Sequence, residues 1–196
     1  MLGFAQHDNY HFIGDEPLAM LQRILDANRQ NREFRTAFSS DYLVLPDIVV
    51  GRAPVSAAEI NQIENLLEPG SPLASHTPLR AENNDGQVIL HASISCKWTI
   101  RSDRAQNTRT EALNLIRNRK GNTPHIMVVT GEPMPTRLAS LAMGTGDLDC
   151  VYHMALNELD AAASAAGDES QLEMLELLVS GRRLRDISDL PFDLAI

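Results

Sequence analysis

Asp47, Ser95, Lys97 and Glu111 are the residues whose types and order could do chemistry together. Asp47 follows Pro46, Ser95 and Lys97 form a Ser-x-Lys pair, and Glu111 comes shortly after. Metal-assisted phosphodiester hydrolysis needs this kind of set. Carboxylates hold Mg²⁺, which activates water and stabilises the leaving oxygen, while a lysine orients the water or offsets charge on the phosphate. Each residue alone has an ordinary explanation. An Asp after Pro commonly ends a strand or opens a turn, and a strand Lys can lay its stem along the sheet with its amine in water. Thr108-x-x-Glu111 has the form of a helix capping box, and Ser95 alone would be a satisfied core hydroxyl. Order and joint placement shift the balance toward a nuclease site. A Ser95–Lys97 hydrolytic dyad is the competing enzyme reading; it would need oxyanion donors, usually Gly-rich backbone, and none lies beside Ser95.

These residues need elements to hold them. Tyr42 to Val50 is a nearly continuous apolar run, read as a buried strand carrying Pro46-Asp47 with an irregularity at the proline. Gln87 to Ile100 is the strongest strand signal, and its period of two puts Ser95 and Lys97 on one face. A helix is expected from Thr108 to Lys120, stopped by Gly121, which places Glu111 in its first turn. Around these lie a helix over Pro17 to Phe38, a short helix from Ser56 to Leu67 with a Ser56/Glu59 capping box, and an irregular stretch from Glu68 to Asn84. Further strands are expected at His125 to Thr130 and Asp149 to His153. Helices are expected at Pro135 to Met143, Leu156 to Ala166 and Gln171 to Val179, with an irregular tail from Arg182. The alternation predicts one α/β domain over 1–196, with a mixed sheet flanked by helices on both faces.

Bulk properties narrow the partners. A net charge of −9 argues against loose adhesion to nucleic acid in general. Between Arg101 and Lys120, however, Arg101, Arg104, Arg109, Arg117, Arg119 and Lys120 stand against only Asp103 and Glu111. Arg101, Asp103 and Arg104, read as a loop, combine forks that suit guanine with an acceptor that suits the cytosine amino group. Composition alone favours a solvated Arg-Asp-Arg turn; position beside the candidate site favours base reading. The two cysteines, Cys96 and Cys150, both fall on expected strands and read as two buried thiols in a reducing cytosol. No apolar run is long enough for a bilayer span, the N-terminus has no export signal, and no ligand set has zinc spacing.

Ser95-Cys96-Lys97, then Arg101-Ser102-Asp103-Arg104, then Glu111, resembles the signature of the NgoMIV group of type II restriction endonucleases. That group is a branch of the PD-(D/E)xK superfamily in which Ser replaces the motif's acidic residue and the following helix supplies the carboxylate. The resemblance implies a restriction-endonuclease-like fold. It implies Asp47 and Glu111 as acidic metal-site residues, Lys97 as the catalytic lysine, Ser95 in the vacated position, and the main-chain carbonyl of Cys96 as a further Mg²⁺ ligand. It further implies that Arg101, Asp103 and Arg104 read a CCGG core, with GCCGGC as the full site on double-stranded DNA. A palindromic target calls for a homodimer, and the resemblance suggests a homotetramer. Members of the group carry a longer N-terminal region that adds an active-site Glu. Nothing in Met1 to Asp41 matches it convincingly, Glu16 and Glu33 being the nearest stand-ins, so a shortened homologue or fragment is expected. The main alternative is therefore a DNA-binding or assembly remnant with an incomplete active site; a repair nuclease of the same fold is a third reading.

Overall fold

The computed structural model describes residues 10–12, 46–68, 70–85, 87–118, 122–144 and 146–195. The predicted helix over Pro17 to Phe38 and the start of the Tyr42 strand lie outside the described residues. Two compact units emerge, one built on Val49–His91 with the strand at Tyr10–Phe12, the other on Ala92–Ile196 with the Pro46-Asp47 segment.

In the first unit, β1 (Tyr10–Phe12) pairs antiparallel with β2 (Ile48–Arg52), placing Tyr10 opposite Arg52 and Phe12 opposite Val50. The strand therefore begins after Asp47 and runs through Gly51, not up to it. The helix expected from Ser56 is real but short: α1 covers Ala57–Ile60, with Ser56 and Glu59 forming the predicted reciprocal cap. Asn61 ends it. Its side-chain oxygen accepts from Leu66 and Leu67 N–H, and its amide donates to the Leu67 carbonyl, so a loop takes the place of further turns.

The second unit is a parallel sheet of β3 (Ile89–Lys97, the unit taking it from Ala92), β4 (His125–Thr130), β5 (Cys150–His153) and β6 (Leu184–Asp186), adjacent in that order. Strands buried on both faces read as continuous apolar runs, and β4 and β5 do. The crossovers are α2 (Ser102–Asn118), α3 (Pro135–Ala142), and the pair α4 (Leu156–Ala166) and α5 (Glu169–Ser180). All four helices feed one core: Ala105, Leu138, Leu141, Leu159, Ala163, Leu175 and Leu178 pack with Val128, Val151 and Leu184. On the opposite face the Tyr152 hydroxyl donates to Asp193, at the end of α6 (Leu190–Asp193). Strands of both senses and helices make this an α/β protein.

Three expectations are corrected here. The tail from Arg182 is ordered, and its β6 pairs with β5, Leu184 standing opposite Val151. Helix α2 starts six residues before the expected Thr108, so Arg101, Asp103 and Arg104 are not a loop: Arg101 immediately precedes the helix and Ser102 to Arg104 form its first turn. Of the two cysteines, both unpaired, Cys150 is buried as expected but Cys96 is exposed.

Candidate active site

Asp47 sits in a bend just before β2, 45% exposed at its side chain, rather than on a buried strand. One carboxylate oxygen, Oδ2, takes two donors from the end of β3: the Cys96 main-chain N–H at 2.7 Å and the Lys97 ammonium at 3.0 Å. An exposed pair of this sort adds little to stability; what it fixes is position.

Ser95 and Lys97 share a face of β3, as the period of two predicts. In the parallel register Ser95 stands beside Val128 and Lys97 beside Thr130, so that face is the one α2 covers. Ser95 is buried there and its hydroxyl donates to Glu111 Oε2 at 3.0 Å. With α2 beginning at Ser102, Glu111 lies well inside the helix and Thr108 cannot cap it; the capping-box explanation for this carboxylate falls away. Glu111 is 8% exposed. Its other oxygen, Oε1, is buried with no hydrogen-bond partner among the described residues. Leaving such an atom unsatisfied costs about 1–3 kcal/mol, more if charged. Burial pushes the Glu111 carboxyl above its usual range; the Ser95 hydroxyl and the Lys97 ammonium oppose the rise, and Asp47 adds to it.

Two carboxylates, a lysine and a serine thus come together from a bend, a strand and a helix of one unit. Among the described residues no three His, Cys, Asp or Glu side chains gather as a metal cluster. The donor set is instead two carboxylates with whatever the main chain adds, and hard oxygen donors of this kind suit Mg²⁺. The orphaned, desolvated oxygen of Glu111 fits a cation. Of the base-reading candidates, Arg101 is exposed and Asp103 and Arg104 are placed on the helix by their backbone.

Sequence reasoning missed Glu132, which looked like part of a Gly-Glu-Pro strand terminator. The side chain is fully buried, and Oε2 accepts the Ile100 N–H at 2.6 Å. Oε1 accepts the Met134 N–H at 3.2 Å and lies 3.6 Å from Arg137. The main-chain carbonyl of Glu132 meets His153 Nε2 at 3.2 Å, while His153 Nδ1 accepts from Ala155 N–H; Nε2 is therefore the protonated nitrogen. A carboxylate between two glycine- and proline-marked positions gives no periodic signal, so nothing in the sequence separated it from a surface turn.

A parallel β-α sheet with this strand-end lysine and helix-borne glutamate defines a protein of the restriction-endonuclease-like α/β class. The NgoMIV restriction enzyme family model matches residues 4–196, and the chain belongs to that family. Type II restriction enzyme NgoMIV of Neisseria gonorrhoeae is 52% identical over 178 residues, which are 91% of this chain and 61% of that protein. The chain thus spans about three fifths of the length of this relative. A solved structure titled "Restriction endonuclease PspGI-substrate DNA complex" covers 53% of this chain and 39% of its own at 18% identity, with a TM-score of 0.34, a likeness too slight to argue from. Among the described residues no helix is long and apolar enough to cross a membrane.

Proposed function

We propose that this chain is a Mg²⁺-dependent type II restriction endonuclease, acting in the cytosol on double-stranded DNA and hydrolysing phosphodiester bonds at a palindromic CCGG-core site, with GCCGGC as the full sequence. Membership of the family supports the class of reaction. The observation that carries the metal-dependent reading is Glu111 Oε1, a buried carboxylate oxygen with no hydrogen-bond partner among the described residues, on a side chain that Ser95 ties to the strand bearing Lys97.

Asp47, Glu111 and the Cys96 carbonyl would hold the ion. In an extended strand the N–H and C=O of one residue project from the same edge, so the carbonyl of Cys96 emerges on the side where its N–H meets Asp47. Bound there, magnesium supplies Lewis-acid stabilisation of charge on the scissile phosphate. Ser95 keeps Glu111 oriented through its hydroxyl. Lys97 is paired with Asp47; in the reaction its ammonium orients the attacking water and balances the charge that grows on the phosphate. Arg101, Asp103 and Arg104 read the core. Arginine forks bond guanine O6 and N7, and the aspartate accepts from the cytosine amino group. Their place at the start of a long helix supports this role, because a helix N-terminus favours the approach of phosphate. A palindrome read this way requires two copies related by a two-fold axis, as a homodimer or a tetramer of two such dimers.

The deciding experiment incubates the protein with plasmid carrying GCCGGC, with Mg²⁺ and with EDTA. Discrete, metal-dependent fragments ending at that sequence are expected. Specific binding with intact DNA would instead assign the chain to the DNA-binding or assembly reading, and no preference for the site would reject both.

A further inference from the structure

We infer that Glu132 is a positioning residue for sequence discrimination: its buried carboxylate clamps the peptide that joins the cleaving strand to the base-reading turn. This rests on the reading of Arg101, Asp103 and Arg104 as the base-reading segment.

The peptide in question is short. Lys97 ends β3, Ser102 begins α2, and Ile100 lies between them, buried to 2% with its side chain in the core. The next residue, Arg101, gives its carbonyl to the Ala105 N–H and so starts the helix. The Ile100 N–H has no place in either the strand ladder or the helix, and a buried main-chain donor must find an acceptor. Glu132 provides it at 2.6 Å, across 32 residues of chain.

The clamp is itself held on every side. The Glu132 N–H donates to Thr130 Oγ1 at 3.2 Å, its main-chain carbonyl accepts a hydrogen bond from His153 Nε2, and its second carboxylate oxygen accepts from the Met134 N–H. Both carboxylate oxygens therefore act as acceptors, and the group has no access to solvent. A carboxylate that accepts a hydrogen bond two residues ahead of a long helix also suits the helix dipole. Such a residue touches neither DNA nor the reacting atoms. It fixes the direction in which Arg101 and the first turn of α2 leave the sheet. Base contacts discriminate only when donors and acceptors are held to within about half an ångström and 10–20°. Loosening this peptide should blur the reading of the site before it abolishes cutting.

The test compares kcat/KM on a GCCGGC duplex with kcat/KM on duplexes carrying one substitution in the CCGG core. The proteins are wild type, Glu132→Gln, and a protein with the Ile100 amide nitrogen replaced by an ester oxygen. The ester deletes the donor and leaves Glu132 in place, so it stands if the glutamine variant does not fold. A change in folded fraction scales both rates alike and leaves their ratio unchanged; a misaligned reader lowers the ratio. The expected result is a ratio reduced about tenfold or more, the loss that one well-made base contact represents. An unchanged ratio in folded ester or glutamine protein overturns the inference while sparing the function. Wild type without CCGG preference overturns both.

Discussion

Burial raises the Glu111 carboxyl above the usual carboxylate range, against the pull of the Ser95 hydroxyl and Lys97 ammonium and with the help of Asp47. Between the ordinary value and the raised one, the folded chain holds a proton that the unfolded chain has lost, so stability falls as pH rises through that window. Thermal melts of metal-free protein in EDTA should show a decline in Tm across that interval, and Glu111→Gln should flatten it. A variant that declines as steeply as wild type would place the titration elsewhere. Mg²⁺ should lift Tm in wild type at the upper end of the window and do so much less in Glu111→Gln. Lys97 predicts a different pattern. Losing one charge that acts on the transition state typically costs about 100-fold or more in kcat, so Lys97→Ala should stop cleavage in gel assays while DNA binding by filter retention stays near wild type. Cutting by that variant at near the normal rate would remove Lys97 from the chemistry.

Elements differ in how plainly the sequence announced them. His125 to Thr130 and Leu156 to Ala166 were legible because a short continuous apolar run closed by Gly131-Glu132-Pro133 reads as a buried strand, and an alanine-rich stretch reads as a helix. β6 was not: Leu184-Arg185-Asp186 contains one apolar residue, and what orders it is parallel pairing with β5, a contact no local pattern encodes. Leu184→Ala should therefore cost about 2–5 kcal/mol in urea unfolding, with specific activity of the folded protein unchanged; a loss near zero would mean that the last strand contributes little. The start of α2 was hidden for another reason. Ser102, Asp103 and Arg104 are all polar, and apolar periodicity begins only at Ala105. Of the candidate site, the shared face of Ser95 and Lys97 was legible, because strand alternation ties one to the other. The bend at Asp47 and the clamp at Glu132 were not, since both depend on hydrogen bonds between distant segments. The first turn of α2 yields its own test: Arg104→Ala should lose preference for the CCGG core over single-substitution duplexes, a penalty of about 1–3 kcal/mol, and an intact preference would take Arg104 out of the reading set.

For the whole molecule, a net charge of −9 means that the proposed attraction to DNA would have to come from a small basic area and not from the general field. Binding to unrelated DNA should accordingly be weak and vanish at moderate salt, while the cognate duplex remains bound. If assembly brings two duplex-binding dimers together, plasmids with two GCCGGC sites should be cut faster than plasmids with one; equal rates would limit the assembly to a single dimer. One helix sets a further constraint. Arg104 and Glu111 are seven residues apart on α2, which at 1.5 Å per residue is about 10 Å along a rigid rod. On the proposed function that rod is a ruler, with base reading at its zero mark and catalysis at a set graduation. Adding or removing one residue between the marks would shift them by about 1.5 Å and turn them by about 100°, so the gauge tolerates substitution but not a change of length. Under that function, where the chain cuts would be tied to what it reads: its descendants would acquire a new target by changing letters on the ruler, and the offset of the cut would be passed on with it.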